Sequence, residues 1–197
     1  MSFIEFLSFI NKTDIPVLTA WNAHDVLHDD HKNYAGRPGT IGNRAGNFIA
    51  ENCDLLIILG SRLNIRQIGY NFKEFSKNSY KIMVDIDQFE MNKKTLNIDL
   101  KLNYDLKKFL IELNKQYKKL NNYEHKQYLS WCKKLNNRFP VFNEKHKESK
   151  KVNPYFFVNE LFKQLKEKDK VVTSDGTAVV TTFQGAILKK DQRLFSN

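Results

Sequence analysis

The stretch Tyr34–Gly69, YAGRPGTIGNRAGNFIAENCDLLIILGSRLNIRQIG, decides how the rest of the chain is read. A glycine-dense loop (Gly36, Gly39, Gly42, Gly46) runs into a short helical segment expected over 43–52. Asp54-Leu-Leu-Ile-Ile-Leu-Gly60 then forms an apolar run, closed by a glycine and followed by the basic, polar loop Ser61-Arg-Leu-Asn-Ile-Arg-Gln67. Such a run is too short for a buried helix and reads as a central strand covered on both faces. A loop leaving the carboxyl end of such a strand is where an open α/β sheet binds ligands. Arg62 and Arg66 offer a phosphate fixed charge and planar, multi-donor hydrogen bonding. The stretch is therefore expected to be a nucleotide- or cofactor-facing edge. The plainer alternative pairs Arg62 and Arg66 with carboxylates such as Asp85 or Asp87.

Outward from this stretch, segments alternate between the two periodicities. Phe3, Ile4, Phe6, Leu7 and Ile10 line one helix face, and Ile15–Thr19 reads as a strand with Pro16 near its start. Trp21–Lys32 carries His24, His28 and His31 beside Asp25, Asp29 and Asp30. That set lacks a helical ligand pair backed by a third ligand, so a solvated turn is expected rather than a metal site. On the other side, 67–75 is expected to be helical and Lys81–Asp87 to be a strand ending in two acidic residues. Asp85 there reads either as a ribose-hydroxyl acceptor or as a cap of the next turn. Asn97–Leu102 alternates like an edge strand, and Leu106, Phe109, Leu110 and Leu113 mark a helix over 104–120. This order of strands and helices gives an α/β fold with a doubly wound, mainly parallel Rossmann-like sheet.

Residues 121–153 differ, with a helix around Trp131 and a charge run over 144–151; they read as a solvated, partly helical linker. Asn153-Pro154 then opens an amphipathic helix, Lys170–Asp175 forms a strand, and Gly176, Thr177 and Ala178 turn into a further helix before a strand at Arg193. A strand, a glycine turn and a helix N-terminus together make an anion site from backbone N–H groups.

Composition narrows the function classes. The net charge is +10, with Lys and Arg together at 32. Residues 101–151 carry most of that excess, as lysines on expected helix faces, which speaks against a nucleic-acid groove built from Arg with interleaved aromatics. The chain holds two cysteines, Cys53 and Cys132, in no metal-ligand spacing. They read as thiols of a cytosolic (cytoplasmic) protein rather than a disulfide. No run approaches the ~18 apolar residues that span a bilayer. Glu5 inside the first apolar stripe, with no basic leading region, argues against a secretory signal.

The order PVLTAWN, YAGRPGTIGNRAGN, DLLIILGSRLNIRQIG, KIMVDID, then a charged linker and VVTSDGTAVV resembles the thiamine-diphosphate-dependent enzymes, nearest their acetolactate (acetohydroxyacid) synthase-like branch. The resemblance runs along essentially the whole chain. It implies that 1–120 is most of a central Rossmann-like domain without its first strand, that 121–153 is the linker, and that 154–197 opens the domain binding thiamine diphosphate through Mg²⁺. It further implies a parent enzyme that decarboxylates a 2-oxo acid and passes on the acyl unit, as a homo-oligomer with cofactor between subunits. The activating glutamate and the metal motif of that family have no counterpart here. The chain alone is therefore expected to be inactive, with no catalytic residue or metal ligand of its own.

Carried over by position, Gly176, Thr177 and Ala178 match the loop touching the cofactor diphosphate. Thr19, Ala20 and Trp21, then Gly36, Arg37, Pro38 and Gly39, then Gly60, Ser61, Arg62 and Arg66, then Asp85 and Ile86, match segments that contact FAD in flavin-binding members. The chain departs from the synthases by Asn64 and Ile65 where two acidic residues are usual, and by Arg37-Pro38 where an apolar residue and a His are usual. An ADP-type ligand or an empty site thus stands beside FAD as an expectation. Two other readings remain: a stand-alone nucleotide-binding module, and a basic interaction protein working through 101–151.

Overall fold

A computed structural model describes residues 2–117, 125–148 and 150–196. Helix α1 (Phe3–Ile10) buries Phe9 and Ile10 against Leu27 and Tyr34. Strand β1 (Val17–Leu18) pairs in parallel with β2 (Tyr34–Gly36). The glycine loop then leads into α2 (Arg44–Glu51), whose start is fixed by Asn43. Its Oδ1 accepts the Gly46 N–H at 2.7 Å and the Arg37 N–H at 3.2 Å, satisfying donors that a helix start leaves open.

Strands β3 (Leu55–Leu59), β4 (Tyr80–Asp85) and β5 (Leu100–Asn103) form a parallel sheet in that order. Short α3 (Ile65–Ile68) and α4 (Gln88–Met91) lie in the crossovers, and α5 (Leu106–Tyr117) follows β5. The core on one side of this sheet joins Ala50, Ile58, Leu63, Ile68, Phe75, Met83, Met91 and Ile98. The parallel, helix-connected arrangement is the expected α/β, Rossmann-like one.

Three local expectations are corrected. The apolar run 54–60 is not a strand covered on both faces: β3 is the edge of its sheet, with Leu55 45% and Ile57 38% exposed. The middle strand, β4, is the buried one, with Lys81 and Met83–Asp85 shut off from solvent while Tyr80 at its start stays exposed. The helix expected over 67–75 stops at Ile68, because Gly69 turns the chain at φ 76°. The segment Trp21–Lys32 is not a solvated turn. Its 3₁₀ helix, Trp21–Val26, carries His24 at 3% exposure.

The segment expected as a solvated linker holds α6 (Lys126–Arg138), whose Cys132 is fully buried beside Ala35 and Ile49. Tyr128 Oη donates to the Ile49 carbonyl at 3.1 Å, and Asn136 to that of Ala35 at 2.8 Å. This helix is packed on α2 and β2; Lys126 and Lys134 are exposed, while Lys133 is half-buried and donates to the His31 carbonyl at 3.1 Å. Residues 118–124, part of that segment, lie outside the described residues.

Asn153 and Pro154 begin α7 (Pro154–Gln164) as expected. Strand β6 (Lys170–Thr173), helix α8 (Thr177–Gly185) and β7 (Arg193–Ser196) complete a second parallel unit around Phe162, Val179, Phe183, Leu188 and Leu194. The two units meet along a seam supplied from one side by residues 21–42. Trp21 stacks on Phe183 with ring centroids 4.3 Å apart. Arg37 Nη2 donates to Asp29 Oδ2 at 2.7 Å and Nη1 to the Ala186 carbonyl at 2.8 Å. The same Asp29 oxygen accepts the Leu188 N–H at 2.8 Å, and Arg193 pairs with Asp25 at 2.5 Å.

Candidate functional site

Parallel strands place all their carboxyl ends along one sheet edge, so the loops after β3, β4 and β5 converge. They enclose a cleft of about 550 Å³ lined by Gly60, Arg62, Asp85, Ile86, Asp87, Glu90, Asp105 and Leu106. Four of the expected site residues, Gly60, Arg62, Asp85 and Ile86, thus come together. Gly60 turns the chain at φ 57°, a left-handed conformation that glycine adopts without strain. Asp85 Oδ1 accepts the Asp87 N–H at 2.9 Å, and Asp87 in turn caps α4 by accepting the Phe89 N–H at 2.8 Å.

Sequence reasoning missed Glu90, Asp105 and Leu106. Glu90 decides the electrostatics. Arg62 pairs with it at 2.6 Å, not with Asp85 or Asp87, and Lys93 holds its other oxygen at 2.6 Å. Lys93 and Arg62 together keep the Glu90 carboxyl below the ordinary carboxylate range. Lys93 also donates to the Arg62 carbonyl, fixing the loop. Asp105 caps α5 by accepting the Lys108 N–H at 2.9 Å, a role readable from its position before an apolar helix. The cleft therefore carries carboxylates suited to hydroxyl donors, and one guanidinium, 72% exposed, free to swing once Glu90 releases it.

The glycine loop does not line this cleft, and its donors are already used. Besides Arg37 and Gly46, the Gly39 N–H goes to Asn47 Oδ1 at 2.7 Å, that of Thr40 to the Arg66 carbonyl at 2.7 Å, and that of Asn43 to the Arg37 carbonyl at 2.8 Å. The glycines are there for close packing: a Cβ on Gly42 would sit 2.1 Å from the Arg37 carbonyl oxygen. Pro38 and Gly39 are buried within this loop. Arg66 contributes its carbonyl to the loop and keeps its side chain outside; Ser61 donates to Gln67 at 3.1 Å. Thr19, Ala20 and Trp21 belong to the seam side, where Thr19 Oγ1 is buried without a partner. Arg37 is committed through Nη2 to Asp29 and through Nη1 to the Ala186 carbonyl, while its Nε is buried without a partner.

In the second unit, Gly176 (φ 75°) precedes α8, whose first turn bears no side-chain cap. Residues 174–178 are exposed, and nothing lies within 4 Å of where a Gly176 Cβ would be. Uncapped, outward N–H groups at a helix start suit an anion. Among the described residues, no group of three or more His, Cys, Asp and Glu is placed to hold a metal ion.

Comparison with known proteins adds the context of this geometry. Residues 3–113 match the model of the family described as thiamine pyrophosphate enzyme, central domain. An acetolactate synthase large subunit of Cyanidium caldarium is 34% identical over 66% of this chain and 22% of its own length. Probable acetolactate synthase large subunits of Methanococcus aeolicus and Methanocaldococcus jannaschii are 30% and 27% identical, over 62% and 87% of this chain and 20% and 29% of their own lengths. The chain spans about a fifth of the length of the first two relatives. No helix among the described residues is long and apolar enough to cross a membrane.

Proposed function

The chain belongs to the thiamine pyrophosphate enzyme family, by that family's central domain, and from that premise we propose that it is one portion of an acetolactate synthase-like enzyme. The proposed activity of the whole enzyme is decarboxylation of a 2-oxo acid with transfer of the acyl unit, in a cytoplasmic homo-oligomer. Thiamine diphosphate with Mg²⁺, when bound, supplies the electron sink for that chemistry. This chain's own share is placement. The open first turn of α8 is the observation that carries the reading: Gly176, Thr177 and Ala178 present backbone donors that fit a diphosphate. No residue here is assigned an acid, base or metal-ligand role, so the chain alone is proposed to be inactive.

The cleft at Gly60, Arg62, Asp85 and Ile86 is proposed to take the ribose-bearing part of an ADP-type ligand. Its carboxylates fit hydroxyl donors, and Arg62 fits a phosphate after leaving Glu90. FAD fits less well, because Thr19–Trp21 and Gly36–Gly39 are occupied by the seam and by the loop's own bonds. A stand-alone nucleotide-binding module is the second reading, favoured by this cleft. The domain limits 1–120, 121–153 and 154–197 remain part of the proposal.

A thermal-shift titration of the purified chain with ADP, FAD, NAD and thiamine diphosphate–Mg²⁺ tests it. A ligand at 100 times its Kd adds about 2.7 kcal/mol to folding. The expected result is a shift with ADP that Arg62→Ala removes, and no CO₂ release from pyruvate with thiamine diphosphate and Mg²⁺. Turnover by the chain alone would overturn the assignment of inactivity, and no shift with ADP would remove the cleft from the reading.

A further inference from the structure

Glu90 lies between two cations that reach it from different segments. Arg62 Nε and Nη2 both meet its Oε1, at 2.7 and 2.6 Å, and Lys93 Nζ lies 2.6 Å from its Oε2. Exposure is unequal across this clasp. The Glu90 side chain is 13% exposed and that of Lys93 33%, against 72% for Arg62. Glu90, seated on α4, is therefore the fixed member, and Arg62 is the one with room to move. Lys93 is further tied by its bond to the Arg62 carbonyl. If the guanidinium leaves, the carboxylate keeps Lys93. The costly case, a half-buried charge left without a counter-charge, does not arise.

The same geometry shows what can draw Arg62 away. Two of its N–H groups converge on a single carboxylate oxygen, whereas the planar fork of a guanidinium suits two oxygens side by side. A phosphate supplies that pair, and its charge decides how strongly it competes with Glu90. A terminal phosphate monoester carries about −1.5 to −2 at pH 7. A phosphate esterified on both sides carries about −1. Asp85, Asp87 and Asp105, which line the cleft beside Glu90, repel either one. That repulsion is screened in an open cleft, while the contact to Arg62 is direct, so the contact decides.

We propose that Glu90 is the specificity-determining residue of the cleft: a terminal phosphate displaces it from Arg62 and a phosphodiester does not, so the site takes nucleotides ending in a free phosphate. This rests on the reading of the cleft as an ADP-type site and goes beyond it, naming the phosphate chemistry and the residue that selects it. Glu90 acts through Arg62, as a positioning residue. Selection of this kind is a difference between two affinities, made by an occupant that the wrong ligand fails to remove.

The probes are ADP and ADP-ribose, which share the adenosine and the diphosphate and differ in whether the second phosphate is free or esterified. Calorimetric titration of each into the full chain should show ADP binding at least about tenfold more tightly, although ADP-ribose brings further hydroxyls for the cleft carboxylates. Glu90→Gln keeps the size of the side chain and frees Arg62. ADP-ribose should then tighten, and the ratio should fall to within about threefold. Arg62→Ala, at the exposed end of the clasp, should weaken ADP and bring the ratio to about one with Glu90 untouched. A Glu90 that served folding alone would move both affinities together and leave their ratio unchanged. Equal affinities in the wild type, or an unchanged ratio in Glu90→Gln, would overturn the selection while leaving an ADP-type cleft. Binding of neither ligand to either protein would remove the cleft reading and the selection with it.

Discussion

Arg37 shows how much a single residue can be re-read by its surroundings. In the sequence it sits in a glycine-rich loop and invites a phosphate. In the fold it is buried at 2% exposure, between Asp29 and the Ala186 carbonyl. Replacing it leaves a buried carboxylate without its counter-charge, which costs on the order of 3–5 kcal/mol. Arg37→Met should therefore lower the urea midpoint sharply, and adding Asp29→Asn, which still accepts the Leu188 N–H, should recover a large part. Unchanged stability in Arg37→Met would remove the seam role. His24, edge-on to Trp21 and tilted against Phe183, gives the pH counterpart. Burial, reinforced by Arg37, lowers its pKa from 6.5 to about 2. The unfolded chain therefore binds a proton that the folded chain refuses, and stability falls as pH drops below 6.5 toward about 2. The slope from this one group is about 1.4 kcal/mol per pH unit. His31, also lowered by burial and nearby His28, Lys32 and Lys133, acts with the same sign. The difference between the wild type and His24→Gln isolates His24: the variant should show a shallower loss between pH 6 and pH 4 by about that slope.

Among the elements, α2 and its loop carry the clearest local logic. The loop is closed by one side chain, Asn43, which serves two backbone donors, and Asn43→Ala should cost about 1–2 kcal/mol as a lost cap. Gly42→Ala should cost more, since its Cβ would meet backbone at 2.1 and 2.6 Å and not a yielding side chain. Thermal unfolding of both variants checks the ranking, and a Gly42→Ala protein as stable as the wild type would contradict the packing role. These elements also mark where the sequence was readable. Asn153-Pro154, the run 54–60 and the strand expected over 81–87 depend on neighbours in the chain, so their positions were close to those observed, at Pro154, Leu55–Leu59 and Tyr80–Asp85. That β3 lies at an edge was not readable, because coverage depends on which strand comes alongside. Glu90 as the partner of Arg62 was hidden for the same reason: 28 residues separate them and only the β4–α4 turn brings them together. The cleft residues Gly60, Arg62, Asp85 and Ile86 were legible from strand ends, whereas the burial of Trp21 and Arg37 required the second unit to be docked.

For the molecule as a whole, the seam sets cooperativity. Trp21 reports on it directly through Phe183, while Trp131 reports from α6 beside Cys132. The chain has two tryptophans in all, so Trp21→Phe and Trp131→Phe variants each leave one probe. If the seam couples the units, both variants should show the same denaturation midpoint by fluorescence. Separated midpoints would mean that the units unfold independently. The seam has a further consequence for the covalent chain. Its anchors come from residues 21–42 on one side and 183–194 on the other, whereas the backbone passes between the units through the lysine-rich stretch 144–151, far from those anchors in sequence. A single tryptic cut within that stretch should leave two polypeptides travelling as one particle through gel filtration, parting only in denaturant.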